Sequence, residues 1–178
     1  AVGGASLTAN TTGSDNTAVG YDALAKNTDA EKNVAVGKAA LQQNTTGDMN
    51  TAVGAQALTA NTTGDFNTAT GYEALVSNTT ATGNTATGYQ ALSNNTTGAR
   101  NIAFGYRALY GPDTENDNLA IGDQALGGSI DGGEYNVAIG NHSMNALTSG
   151  DKNTALGFNS LTGLTTGSWN TAVGHEAG

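Results

Sequence analysis

The five-residue motif Asn-x-Ala-x-Gly opens ten times along the chain, at Asn16, Asn33, Asn50, Asn67, Asn84, Asn101, Asn118, Asn136, Asn153 and Asn170. Every interval is 17 residues except the 18 between Asn118 and Asn136. A shortened copy, Ala1 to Leu7, precedes them. Two variable residues follow the Gly, then Ala or Ser, then Leu or Met in all but the last copy; Ala23-Leu24, Ala57-Leu58 and Ser143-Met144 are examples. The first half adds Asn-Thr-Thr-Gly, as at Asn44 to Gly47 and Asn61 to Gly64. A register held this long decides architecture before local propensity does.

Seventeen residues are too few for a helical hairpin repeat, which needs roughly 33. The Gly, Asn and β-branched residues at fixed positions also disfavour helix. Thr51-Ala52-Val53 and its equivalents read as a short strand between turn formers, and Ala57-Leu58 as a second one. Such a unit buries nothing alone and must stack on its neighbours. The expectation is an all-β parallel β-solenoid, a narrow two-sheeted roll of about 10 coils of 17 residues. At ~4.8 Å per coil the rod is roughly 48 Å long. It forms a single repeat domain over 1–178, with irregular loops at 110–117 and 127–135. The chain opens inside a coil and shows no capping segment, so it is expected to be part of a longer fibre or to stack end to end.

Strand alternation sorts the residues by face. Ala18, Ala35, Ala52, Ala69, Ala86 and Ala103, with Leu24, Leu41, Leu58, Leu75, Leu92 and Leu109, are assigned to a thin interior. The motif Gly is expected at positive φ or at a close backbone approach. The Asn columns are expected to stack as amide ladders that satisfy turn backbone groups. The opposite strand face carries Val36, Val53, Thr70, Thr87, Ile102, Phe104, Leu119, Ile121, Val137, Ile139, Leu156 and Val173. An apolar stripe of that length is avoided on a soluble monomer, so burial against other copies is expected.

Composition narrows the function. Fifteen acidic against six basic residues give a net charge of −9, which argues against nucleic acid. There is no Cys, so disulfides and thiolate metal sites are excluded. No apolar run approaches the ~18 residues of a membrane span.

Candidate chemistry is sparse. Asp113, Glu115, Asp117, Asp131 and Glu134, with Asp123 nearby, fall in adjacent loops and form a weak Ca²⁺ candidate set. A solvated acidic surface is the favoured reading of them, and no other cofactor is expected. Asp48, Asp65 and Asp151 read as turn residues. His142 and His175 lack a second ligand nearby in sequence, and no Ser sits in a nucleophile arrangement, so no enzyme is expected. Tyr72, Tyr89 and Tyr106 share one turn position in successive coils, while Phe66, Tyr135 and Trp169 precede the motif Asn. Tyr72, Tyr89, Tyr106 and Trp169 are the candidate ligand surface for sugars or protein contacts, with ladder stacking or inter-chain packing favoured. Asn-x-Ser/Thr sequons fall at Asn10, Asn44, Asn61, Asn78, Asn94, Asn95 and Asn141 as a by-product of the repeat.

Val137-Ala-Ile-Gly-Asn-His-Ser143 and Leu119-Ala-Ile-Gly-Asp-Gln-Ala125 resemble the head repeat of trimeric autotransporter adhesins. Similar repeats occur in viral and phage tail-fibre proteins. The resemblance covers essentially the whole chain. It implies a left-handed β-roll and three chains side by side, a handedness that only the resemblance supplies. These residues differ in their many strand Thr residues and longer unit, and no coiled-coil stalk or membrane anchor is expected within them. The function implied is a structural and adhesive fibre segment, extracellular, on a cell surface or virion, whose turns meet a glycan or host receptor. The alternatives are an ice-binding solenoid using Thr68-Ala-Thr70 and Thr85-Ala-Thr87, and a self-assembling extracellular filament.

Overall fold

The computed structural model describes residues 1–111 and 114–178. Among them the motif triplets form ten three-residue strands, from β1 (Thr17–Val19) to β10 (Thr171–Val173), and no helix forms. They line up in chain order as one parallel sheet. Each residue pairs with its equivalent one coil on, as in Ala18 with Ala35, Ala35 with Ala52 and Ala155 with Ala172. The extra residue between Asn118 and Asn136 does not disturb this register, because Ala120 still pairs with Ala138. The 17-residue period is therefore the coil of a parallel β-solenoid.

The second strand expected at Ala-Leu does not form. Leu24, Leu41, Leu58 and their successors, including Met144, sit at φ between 48° and 52°, in the left-handed helical region. Two further positions per coil do the same: the second residue after the motif Gly, such as Asp22, and the residue before the motif Asn, such as Lys32. An L-residue held there costs roughly 1–2 kcal/mol. What offsets that cost is direction, since each twist aims an N–H along the rod axis. Leu24 N–H reaches Ala40 O at 3.0 Å, Asp22 reaches Gly4 O at 3.0 Å and Lys32 reaches Ser14 O at 3.0 Å. The far wall of the roll is thus a stack of turns hydrogen-bonded between coils, and the described residues form one sheet.

The interior is as thin as its residues. The strand Ala residues from Ala35 to Ala155 are fully buried, and so are Ala57, Leu58 and most of their equivalents. The motif Gly closes each strand. Gly54 has φ 139°, and a Cβ there would lie 2.3 Å from the Gly71 carbonyl oxygen of the next coil. Both conformation and space therefore demand Gly at this column.

Buried Asn residues form two ladders. In the motif column, Asn33 Oδ1 accepts the N–H of Asn50 at 2.8 Å, and Asn50 Oδ1 that of Asn67 at 2.9 Å. In the second column, Asn44 Nδ2 donates to Asn27 Oδ1 at 3.2 Å and Asn61 Nδ2 to Asn44 Oδ1 at 2.7 Å. A buried amide left unpartnered costs about 1–3 kcal/mol, so these columns tolerate only residues that continue the pattern. A third series lies at the surface two residues before the motif Asn. There Asp48 accepts Glu31 N–H at 2.7 Å, Asp65 accepts Asp48 N–H at 2.7 Å and Asp151 accepts Glu134 N–H at 2.9 Å.

Candidate functional site

The strand face is the most extensive candidate surface. With the middle Ala buried, the flanking residues of every strand turn away from the interior. Ile102, Phe104, Ile121, Leu156 and Val173 are exposed, as are Val53 and Thr70; Val36, Thr87, Leu119, Val137 and Ile139 are half-buried. None of these flanking residues is charged in any strand, so every ionic group of this acidic chain lies elsewhere. Phe104, at 58% exposure, is the largest apolar side chain on the face.

The turn edges carry aligned side chains. Tyr72, Tyr89 and Tyr106 stack with ring centroids 5.5 and 5.2 Å apart and planes within 13°. Their faces cover one another, so a sugar ring finds mainly edges and hydroxyls along this ladder. The neighbouring Glu73 carboxylate, by hydrogen bonding and by charge, holds the Tyr72 phenol above its ordinary pKa. Beside the ladder, Gln90 donates to Glu73 at 2.6 Å and Arg107 donates to Gln90 at 2.9 Å. Arg107 also lies over the rings of Tyr106 and Tyr110. At another edge Lys152 Nζ sits between Trp169, 4.5 Å from its ring, and Tyr135 at 5.7 Å. Trp169 is nevertheless the most exposed large apolar side chain, at 74%.

The two acidic loops lie side by side, but among the described residues their carboxylates do not gather at one locus. Asp113 lies outside the described residues. Glu115 is buried and accepts N–H groups of Thr114 and Gly132 at 3.1 and 3.0 Å. Asp117 is held by Arg100 through two hydrogen bonds of 2.7 Å, and Glu134 accepts from Asn116 at 2.7 Å. Asp123 receives no hydrogen bond at its buried Oδ1 among the described residues. Asp131 is exposed. Among the described residues no three acidic or His side chains gather in a way that would hold a metal ion.

His175 stacks on Phe158 at 5.3 Å and His142 meets Phe158 edge-on at 6.3 Å. His142 also lines a shallow open depression with Asn145, Ala146, Asn159 and Thr162. The sequons divide by burial. Asn44, Asn61, Asn78 and Asn95 are fully buried in the ladder and Asn10 is half-buried, while Asn94 and Asn141 are exposed.

Two features went unread in the sequence. Asp48, Asp65 and Asp151 cap the neighbouring coil, a role that their recurrence two residues before the motif Asn could have signalled. Ile130, Leu147 and Leu164 take over the column that Asn10 to Asn95 occupy earlier.

Fold and surface together define a β-solenoid repeat protein. No protein-family model, curated protein or solved structure matches the chain.

Proposed function

We propose that the chain is a structural, non-enzymatic fibre segment that works outside the cell, on a cell surface or virion. Three copies lie side by side with their strand faces turned inward, and the turn edges are left to meet a surface glycan or receptor. One observation carries this reading: a continuous uncharged face bearing Val, Ile, Leu and Phe on a chain of net charge −9. Copies of like charge repel everywhere except along such a face, and burying it removes apolar surface from water at about 25 cal/mol per Å². Parallel copies in register also place Phe104 beside Phe104 and Thr70 beside Thr70, so like-sized groups meet at each level.

The reactive side chains support a structural role as well. Ser160 Oγ is engaged with the Gly157 carbonyl at 2.9 Å, and His175 lies against Phe158. Light scattering of the purified chain tests the proposal. The expected mass is three times the 17.7 kDa of one chain. A monomer at micromolar concentration overturns it.

A second reading has one observation in its favour. Thr45 and Thr62 spend their hydroxyls on carbonyls of the next coil, whereas Thr68, Thr70, Thr85 and Thr87 make no such bond among the described residues. Those free hydroxyls would suit ice. A monomer showing thermal hysteresis selects this reading over the fibre.

A further inference from the structure

The large apolar side chains that this rod exposes all lie on one side of it. Among the described residues they occupy four columns and no others. Two are the outward strand positions. The other two are the residue just before each motif Asn, where Phe66 and Trp169 stand, and the residue just after each motif Gly, where Tyr72 and Phe158 stand. Strand alternation explains the grouping. From Phe66 to Tyr72 exposed or half-buried positions alternate with the inward Asn67, Ala69 and Gly71, so both outer columns continue the strand face as its margins. The apolar surface is therefore wider than the strands, roughly 20 Å from margin to margin. A surface of that extent is characteristic of a contact with another molecule.

Symmetry says which margins meet if that molecule is another copy. Closed rotation about an axis along the rods keeps the copies parallel and level, and it brings one margin of each copy to the opposite margin of the next. An end-for-end pair would instead bring like margins together. At matching levels the two margins complement each other in most coils. Phe66 meets the exposed edges of the Tyr72 ring, and Gly83 leaves room for Tyr89. Arg100 comes to Tyr106 and Lys152 to Phe158, each a cation beside a ring. Two levels bring like charges together: Lys32 faces Lys38 and Asp117 faces Asp123. In both, one member already has an opposite charge beside it, Glu31 at 3.7 Å from Lys32 and Arg100 at 2.7 Å from Asp117.

We propose that the two aromatic margins are contact surfaces between parallel copies, the column before the motif Asn of one copy packing on the column after the motif Gly of the next. This rests on the three-copy reading and extends it. The Tyr72, Tyr89 and Tyr106 ladder and Trp169 belong to the seam between chains, and the turns left to meet a ligand are those of the far wall.

The chain has no Cys and one Trp, so both can report on the seam. Met49→Cys with Ala55→Cys puts one thiol on each margin of the same coil. Within one copy these lie roughly 20 Å apart along extended chain, well beyond the ~7 Å between Cα atoms that a disulfide spans. Oxidation, or a short bis-maleimide, should join the double variant into covalent dimers and trimers and leave each single variant unlinked. Acrylamide should quench Trp169 of the unmodified assembly about threefold less than that of the chain dispersed to single copies by Phe104→Asp. Light scattering of the same samples separates the two ideas. Three-chain mass without the cross-link overturns the margin contact and leaves the three-copy reading standing. If the double variant does not fold, Trp169 as open to acrylamide in the assembly as in single copies has the same force. Single variants that link to themselves overturn the parallel arrangement, and single-chain mass for the unmodified chain overturns both ideas together.

Discussion

Asn33 and Asn44 give their side-chain N–H groups to one acceptor, the carbonyl of Gly47, at 2.9 and 2.8 Å. Asn50 and Asn61 do the same at Gly64, and Asn67 and Asn78 at Ala81. One carbonyl thus ties the two ladders together, using both of its lone pairs. Asn33→Ala removes one of those donors and leaves the buried Asn50 N–H without its acceptor. A loss of about 2–4 kcal/mol is expected, read as a lower urea midpoint with the slope unchanged.

The two Gly columns should respond differently to a methyl group. Gly54→Ala meets the Gly71 carbonyl and also forces an L-residue to φ near 139°. Loss of several kcal/mol or failure to fold is expected. Gly64 faces a similar contact, since a Cβ there would meet the Ala81 carbonyl oxygen. Its column, however, already holds Ala30 and Ala81, both buried, so the chain relaxes around a methyl there. Thermal melts of Gly54→Ala and Gly64→Ala should separate clearly, with Gly64→Ala the milder.

The Leu column joins a size requirement to a backbone one. Leu75 is fully buried and sits at φ 51°. Leu75→Met should cost under about 1.5 kcal/mol, because volume is conserved and Met144 fills the equivalent place. Leu75→Val loses a methylene and also puts a β-branched residue in the left-handed region, where such residues are outliers. Its expected cost is about 2–4 kcal/mol, beyond the ~1 kcal/mol of the lost methylene. Equal melting temperatures for the two variants would contradict this account.

Periodicity made the Ala18 and Leu24 columns legible in the sequence, because a residue type held at one spacing has few causes other than a shared environment. The same regularity misled at Ala57-Leu58. A buried apolar pair looks like strand, and nothing in Leu itself announces φ near +50°; that conformation arises from the hydrogen bond between Leu58 N–H and Ala74 O of the next coil. Capping by Asp48 and Asp65 was hidden for a related reason, since a turn preference and an inter-coil bond select the same side chains. The alignment of Tyr72, Tyr89 and Tyr106 was readable, but the mutual covering of their faces needed coordinates.

Acid should test the Arg100–Asp117 pair. The Arg100 hydrogen bonds hold the Asp117 carboxyl below its ordinary value, with burial opposing and the Arg100 charge assisting. A lowered folded-state value means that the contribution is complete above the unfolded carboxyl's pKa of about 3.9 and fades as pH falls through the folded one. Asp117→Asn should therefore lower stability at neutral pH and match the unmodified chain in strong acid. The difference is small, because Arg100 is largely open to solvent. Urea midpoints at several pH values check both the sign and the window.

Phe104 offers the cleanest separation of folding from assembly. Its side chain is 58% exposed in the single chain, so Phe104→Asp removes little packing within one copy. In a side-by-side trimer the same position comes near its equivalents from the other chains. Three carboxylates confined there without partners cost several kcal/mol in desolvation and repulsion. Phe104→Asp should keep the far-ultraviolet dichroism of the parent and fall to single-chain mass in light scattering. Asn94→Asp, at an exposed position away from the strand face, should leave the mass unchanged. If Phe104→Asp retains the mass of the unmodified assembly, the strand face is not where the copies meet.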